Sequence, residues 1–128
     1  MLKSLFIVGI GSFIGGALRF LLSIIMRNVC GNGFPWGTLG INLLGCFLFG
    51  IAFAAFSKNN LTDNTLYLLL TTGFCGGFTT FSTFAHESIQ MLQQGNTLGF
   101  IGYVATSVIG GFVLIAMGYW IVKAISLP

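Results

Sequence analysis

Four long apolar runs, separated by three short polar stretches, organise the sequence. The apolar runs cover residues 2–26, 37–57, 64–85 and 98–122, and the polar stretches between them are 28–36, 58–63 and 88–96. Each apolar run has about the 20 residues that a helix needs to cross the hydrocarbon core of a bilayer. The pattern predicts an all-α membrane protein with four transmembrane helices in one domain, residues 1–128. Thr62 or Asp63 is expected to cap the third helix.

The composition supports a membrane location. The chain has 128 residues, of which 55% are hydrophobic and only 5% are charged, and its mean hydropathy is +0.98. A soluble domain carries about 25% charged residues, so an ordinary soluble protein is excluded. The net charge of +3 arises from five Lys and Arg residues against two acidic residues. These few bases are scattered, so we expect no nucleic-acid partner.

The first apolar run resembles two other kinds of segment. Lys3 followed by apolar residues is typical of a signal peptide, but no small-residue cleavage site follows and Arg19 interrupts the run, which favours a retained helix. Residues 9–15 resemble a dinucleotide-binding glycine loop, which needs an acidic residue about 20 positions later. Residues 30–45 contain no acidic residue. Gly11 and Gly15 therefore indicate a small-residue face for helix packing.

Arg19 lies inside this first run. An arginine within a membrane span costs about 3 kcal/mol or more, so such residues usually have a role. One interpretation is that its side chain reaches a nearby interface. The other is a structural or functional role, for example at an anion vestibule.

The third apolar run is unusual for a membrane helix. Its centre contains Gly73, Gly76 and Gly77, followed by hydroxyl residues at 79, 80, 82 and 83. Each glycine disfavours a helix interior by about 1 kcal/mol, and backbone outside a helix is tolerated at membrane depth only where protein or a wet cavity surrounds it. The stretch predicts either an ion site in a broken helix or close helix packing with hydroxyls bonded to the preceding turn.

The third run also carries a periodic set of aromatic residues. Its phenylalanines recur at spacings of four, three and three, at Phe74, Phe78, Phe81 and Phe84. A packing stripe is one interpretation of this periodicity. Alternatively, the positively polarised ring edges could face an anion.

Other polar residues are candidates for a pathway through the membrane. Asn42 needs a hydrogen-bond partner, which is either a neighbouring helix or an anion. Tyr103 and Ser107 are four residues apart and share a helix face. His86 and Glu87 are expected to end the third span and reach water. Neither is accompanied by a nucleophile or a second carboxylate, so the sequence does not indicate an enzyme.

The three cysteines, Cys30, Cys46 and Cys75, are an odd set without CxxC spacing. This arrangement favours small buried hydrophobic residues over a disulfide or a metal site.

The basic residues give a weak topology signal. Lys3, Lys58 and Lys123 lie on one side of the predicted arrangement, against Arg27, and Arg19 if it reaches that way, on the other. This mildly favours cytoplasmic termini and permits insertion in both orientations. Four helices are few to enclose a pathway, so we expect a homo-oligomer.

Two motifs closely resemble the Fluc/CrcB family of bacterial fluoride channels. They are Gly-Thr-Leu-Gly-Ile-Asn at 37–42 and Gly-Phe-Cys-Gly-Gly-Phe-Thr-Thr-Phe-Ser-Thr-Phe at 73–84. The pattern Gly-Gly-Ala-Leu-Arg at 15–19 also matches, and the resemblance covers essentially the whole chain.

The resemblance implies a passive, fluoride-selective channel of the bacterial cytoplasmic membrane that relieves fluoride toxicity. Its expected form is an antiparallel, dual-topology homodimer with two pores and a third helix broken in mid-membrane. The backbone carbonyls of Gly76 and Thr79 from both subunits are expected to hold a central structural sodium ion. Eight residues are expected along the fluoride pathway. Arg19 is expected at its aqueous entrance, and the others are Asn42, Phe81, Phe84, Thr83, Ser82, Tyr103 and Ser107.

Three rival functions were weighed against this one. A small multidrug exporter has an acidic residue in its first helix, and this first run has none. A non-transporting assembly protein predicts that residues 79–83 tolerate alanine. A membrane enzyme is the least favoured, because acid–base side chains are nearly absent.

Overall fold

The computed structural model describes residues 1–57 and 64–126, and the described part is helical apart from short connections. Two long helices come first, and two more helical stretches follow a segmented region. The elements are α1 (Leu2–Cys30), α2 (Trp36–Phe56), α3 (Thr65–Leu68), a π-helical stretch (Leu69–Cys75), α4 (Gly76–Phe78), α5 (Phe81–Gln93) and α6 (Thr97–Ser126). We call residues 65–93, from α3 to α5, the third segment.

Within the described residues, three continuous helices are long and apolar enough to cross a membrane. They are α1, α2 and α6, with mean hydropathies of 2.0, 2.1 and 2.1 in their most apolar windows. Many of their large apolar side chains face outwards, including Phe6, Phe13 and Phe112. Such extensive exposed apolar surface suits a lipid environment rather than water. The predicted all-α membrane class and three of the predicted spans are confirmed.

Several predicted boundaries were wrong. Helix α1 continues through Arg27 to Cys30, and α5 continues past Glu87 to Gln93 instead of ending there. The polar residues after Glu87 are compatible with a helix, and their polarity alone suggested a connection. The third segment is capped by Asn64, whose Oδ1 accepts from the backbone N–H groups of Leu66 and Tyr67. The predicted caps, Thr62 and Asp63, lie outside the described residues.

Glycines bring α1 against the third segment. A Cβ atom added at Gly11 would lie 2.6 Å from the carbonyl oxygen of Leu69, and one added at Gly15 would meet the backbone of Phe74 and Phe78. Side chains at these positions are excluded by backbone, so the predicted small-residue packing face is confirmed. The same glycines lie in an uninterrupted helix, which rules out the dinucleotide-loop alternative.

Glycines also bring α2 against α6. A Cβ atom at Gly50 would collide with the carbonyl oxygen of Ile115, and one at Gly118 would collide with that of Phe47. The chain therefore forms two closely packed pairs, α1 with the third segment and α2 with α6. Helix α2 also contacts α1 and the third segment.

The third segment leaves helical geometry at Thr79 and Thr80. Thr79 has φ −82° and ψ 159°, and Thr80 has φ −148° and ψ 117°, both extended conformations. We call these two residues the interruption. The glycines before it are helical, with Gly76 at φ −62° and ψ −38°. Within the chain, Gly73 and Gly77 pack closely against α1, and the departure from the helix falls on the threonines that follow.

Candidate functional site

Asn42 binds the backbone of the interruption. Its Oδ1 accepts from the Thr80 N–H at 2.8 Å, and its Nδ2 donates to the Thr80 carbonyl oxygen at 3.0 Å. An extended residue between two helices has no intrahelical partner for these groups. The amide of Asn42 therefore satisfies both polar backbone groups of Thr80, as a neighbouring strand would. Its second N–H has no acceptor among the residues that the structure describes.

Arg19 binds the same region from α1. Its Nε donates to the carbonyl oxygen of Gly77 at 3.1 Å, and the residue is half-buried. Arg19 lies near the middle of α1 rather than near its end, because the helix runs from Leu2 to Cys30. Of the two interpretations left open by the sequence, this contact favours a structural or functional role over simple reach to an interface.

Three hydroxyls form a cluster where α5 begins. Thr80 Oγ1 accepts from the Thr83 N–H at 3.2 Å and so caps the helix. The same Oγ1 donates to Thr83 Oγ1 at 3.0 Å and lies 3.3 Å from Ser82 Oγ. Since Thr83 Oγ1 accepts from Thr80, its own proton remains free to donate, and no acceptor for it occurs among the described residues.

Two other hydroxyls of the third segment make only local bonds. Thr79 Oγ1 donates to the Cys75 carbonyl, and Ser88 Oγ donates to the Phe84 carbonyl, each one turn back. Such bonds are the local alternative weighed from the sequence. It holds for Thr79, but not for the cluster of Thr80, Ser82 and Thr83.

Ser107 differs from these hydroxyls. Its Oγ is buried and makes no hydrogen bond with the residues described. A buried hydroxyl without a partner is unfavourable by about 1–3 kcal/mol. Ser107 is therefore a polar group on α6 that a polar ligand could satisfy.

The aromatic residues of α5 lead from the protein surface to its interior. Phe81 is 79% exposed, whereas Tyr103 of α6 is fully buried. Phe84 lies between them, with its ring centroid 5.8 Å from that of Phe81 and 5.1 Å from that of Tyr103. Among the described residues, Phe81 is thus open for contact with another molecule.

Glu87 connects three helices, and sequence reasoning missed this role. Its Oε1 accepts from Thr38 Oγ1 of α2 at 2.7 Å, and its Oε2 accepts from the Tyr103 hydroxyl of α6 at 2.8 Å. Both oxygens are used, so the carboxylate is held within the protein rather than simply reaching water. The available signal was that Glu87, one of only two acidic residues in the sequence, lies just after an apolar run, where a carboxylate needs hydrogen-bond donors.

A cavity of about 440 Å³ adjoins this region. The α1–α2 turn lines one side of it, and Thr83, Glu87 and Gln90 of α5 line another. Its basic residue among those described is Arg27, not Arg19. The cavity is thus a polar space that Thr83 lines together with the acidic Glu87 and the basic Arg27.

The carbonyls of Gly76 and Thr79 were expected to bind sodium. Neither carbonyl accepts a hydrogen bond from any residue in the described ranges. Gly76 is exposed on the surface of the chain, and Thr79 is half-buried. Free backbone carbonyls beside an extended stretch are suitable oxygen ligands for a hard cation.

The structure brings most of the predicted residues to one region. Asn42 and Arg19 contact the interrupted backbone, Ser82 and Thr83 begin α5, and Phe84 contacts Tyr103. Ser107 lies one turn beyond Tyr103 on α6. The Tyr103 hydroxyl proton is bonded to Glu87, so in this arrangement it is not offered to an anion.

A family model described as CrcB-like protein, Camphor Resistance (CrcB), matches residues 6–119. Relatives in several bacteria carry the name Fluoride-specific ion channel FluC. One from Leptospira interrogans is 46% identical over 94% of this chain and 95% of its own. Those from Azobacteroides pseudotrichonymphae and Phocaeicola vulgatus are 43% and 41% identical over 93% of this chain and 95% and 98% of theirs. The matches extend over nearly the whole sequence, and the chain therefore belongs to the CrcB family, a family of ion channels and not of enzymes.

Proposed function

We propose that this protein is a fluoride-selective channel that lets fluoride leave the cell passively across the bacterial cytoplasmic membrane and so relieves fluoride toxicity. The relatives named fluoride-specific ion channels support this proposal. The observation that carries it is the set of unused hydrogen-bond donors beside the interruption. They are the Thr83 hydroxyl and the second N–H of Asn42.

A fluoride pathway needs donors that replace water. Fluoride is small and strongly hydrated, so a dry pore must supply hydrogen bonds while binding weakly enough for release. Neutral hydroxyl and amide donors meet both conditions. They supply hydrogen bonds in place of water, and they lack the full positive charge that would hold the anion too tightly. The carboxylate of Glu87 would repel an anion that came close to it, and hydrogen bonds from Thr38 and Tyr103 to its two oxygens fix its position.

The aromatic residues are proposed to form the narrow part of the pathway. The ring edges of Phe81 and Phe84 carry a partial positive charge that attracts an anion without an ion pair. Tyr103 contributes its ring to the wall next to Phe84. The buried hydroxyl of Ser107 is a further donor along α6, and Ser82 extends the hydroxyl cluster.

The proposed assembly is an antiparallel, dual-topology homodimer with two pores. In it, the third segment also crosses the membrane, which gives four spans per chain, and its helix is broken in mid-membrane at the interruption. Phe81 is 79% exposed on the protomer, so one chain leaves a pathway beside it open on one side. A second copy would close that side, and two-fold symmetry would produce two equivalent pathways. The small difference in basic residues between the two faces permits both orientations.

A sodium ion is proposed at the two-fold axis, held by the Gly76 and Thr79 carbonyls of both subunits. These carbonyls have no hydrogen-bond partner in the described part of the chain. Buried polar backbone without partners is unfavourable in a membrane, and oxygen ligands without a carboxylate suit a monovalent hard cation. When bound, the ion would supply positive charge that favours anions nearby.

Efflux from liposomes tests the proposal. Vesicles that contain purified protein and a fluoride gradient should lose fluoride rapidly once a potassium ionophore balances the charge, whereas chloride should leave far more slowly. Protein-free vesicles give the leak rate. Equal efflux of the two halides, or fluoride movement strictly coupled to protons, would exclude a selective channel. No efflux above the leak would favour a non-transporting assembly protein.

A further inference from the structure

We infer that Arg19 and Asn42 together form a backbone clamp that fixes the interruption and leaves the Gly76 and Thr79 carbonyls free for a cation. The inference rests on the proposed sodium site for its functional consequence. Its structural part rests on the hydrogen bonds of Arg19 to Gly77 and of Asn42 to Thr80. The clamp makes both side chains positioning residues, in addition to any contact with the anion.

The carbonyls around the interruption fall into two groups. Those of Cys75, Gly77 and Thr80 accept hydrogen bonds from Thr79, Arg19 and Asn42, respectively. Those of Gly76, Phe78 and Thr79 accept none from the residues that the structure describes. Two of the three free carbonyls are the proposed sodium ligands. The side chains of α1 and α2 thus select which backbone oxygens remain for a cation.

Asn42 suits its position because it both donates and accepts at one point. A carboxylate cannot donate to the Thr80 carbonyl, and a hydroxyl cannot span the N–H and the C=O of one residue with fixed geometry. One turn further along α2, Gly45 leaves room for the side chain of Thr79, the other residue of the interruption. A Cβ atom at Gly45 would collide with Cγ2 of Thr79. The surface of α2 from Asn42 to Gly45 therefore holds both residues of the interruption.

Arg19 suits its position because a helix ends there. The helical stretch that begins at Thr65 ends at Phe78, and the carbonyls at a helix C-terminus carry partial negative charge. A guanidinium is always charged and donates in a fixed direction, so Nε holds the Gly77 carbonyl, while the neighbouring Gly76 carbonyl has no partner among the described residues. This contact accounts for an arginine near the middle of an apolar helix, where it would otherwise be unfavourable.

The effect of sodium on thermal unfolding tests the functional part. Wild type, Arg19→Lys and Asn42→Ala are heated in detergent with increasing sodium chloride, with N-methylglucamine chloride keeping ionic strength constant. Substitution of residues that orient metal ligands typically weakens metal binding by about 10–100-fold. We expect half-maximal stabilisation at a sodium concentration at least about tenfold higher in both variants than in wild type.

Ser12→Ala is the matched control. Ser12 also lies on α1 and donates to a carbonyl of the third segment, that of Gly73, at 3.3 Å, but upstream of the interruption. Its sodium response should stay within about twofold of wild type, since it does not orient the ligands. Where sodium stabilises wild type, an equal shift in all three variants, or no shift in Arg19→Lys and Asn42→Ala, would overturn the clamp.

Hydrogen exchange separates the clamp from the sodium proposal. The Thr80 amide loses its acceptor in Asn42→Ala, so peptides spanning residues 78–83 should exchange faster than in wild type or Ser12→Ala. If wild type shows no sodium-dependent stabilisation, the sodium proposal fails, and faster exchange in Asn42→Ala still supports the clamp. Unchanged exchange overturns the clamp whatever the sodium response. If Asn42→Ala does not fold, Arg19→Lys is measured over the same residues 78–83, where loss of the second contact of the clamp should also speed exchange and unchanged exchange overturns it.

Discussion

Gly77→Ala should loosen the contact between α1 and the third segment. A Cβ atom at Gly77 would lie 2.5 Å from the carbonyl oxygen of Ser12, 2.7 Å from its Cα and 3.0 Å from its carbonyl carbon. These atoms are all backbone and cannot move aside as a flexible side chain would. Carbon atoms pack best at about 3.5–4.0 Å, so the two elements must separate by about 1 Å.

Two opposing effects set the change in unfolding free energy for Gly77→Ala. Insertion of one methyl group into a packed contact typically destabilises by about 1–3 kcal/mol. Alanine favours the helix over glycine by up to about 1 kcal/mol. The separation also weakens the neighbouring contacts of Gly11 and Gly73, which lie on the same interface. We therefore expect a net loss of about 1–3 kcal/mol in unfolding free energy.

Gly76→Ala is the matched control on the adjacent residue. The nearest atom to its added Cβ is the Thr71 carbonyl oxygen at 3.8 Å, an ordinary contact. The protomer should therefore be as stable as wild type or more stable by up to about 1 kcal/mol. In the proposed homodimer, where Gly76 approaches the other subunit, this variant should instead weaken assembly.

Two measurements separate these effects. Thermal unfolding followed by the fluorescence of the two tryptophans reports stability, and single-molecule photobleaching in liposomes reports the number of subunits. Gly77→Ala should lower the unfolding midpoint by several degrees, and Gly76→Ala should shift the subunit distribution towards one. A Gly77→Ala protein as stable as wild type would refute the packing argument, whatever the result for Gly76.

Two further outcomes follow from the aromatic residues. Phe81→Ile and Phe84→Ile keep an apolar side chain but remove the ring edge. Each variant should assemble normally and reduce fluoride efflux by about tenfold or more, which corresponds to about 1.4 kcal/mol at the barrier. Near-normal efflux in both variants would show that these rings only contribute to packing. Tyr103→Phe removes the hydroxyl that donates to Glu87 and keeps the ring beside Phe84. It should reduce unfolding free energy by about 1–3 kcal/mol, as measured by thermal unfolding, and an unchanged midpoint would show that the carboxylate does not depend on this bond.

The position of the interruption could be predicted approximately from the sequence, but its backbone conformation could not. Three helix-disfavouring glycines correctly drew attention to residues 71–84, because backbone preferences are local. The sequence did not reveal that these glycines stay helical and that Thr79 and Thr80 are extended. The conformation there depends on Asn42, which is 38 residues away along the chain. A local preference cannot report a partner that only packing supplies.

The sequence by itself determined the membrane class, the three continuous spans and the glycine face of α1, because hydrophobic length and small-residue spacing act within single helices. The motifs at 37–42 and 73–84 also indicated the family. The tertiary structure alone decided the partners of the polar side chains: Arg19 with Gly77, and Thr38 and Tyr103 with Glu87. The first two contacts join residues 58 and 49 positions apart. In an apolar environment a polar group bonds to whichever partner the helix packing brings within reach, so the hydrogen bonds of this site are a consequence of the folded arrangement.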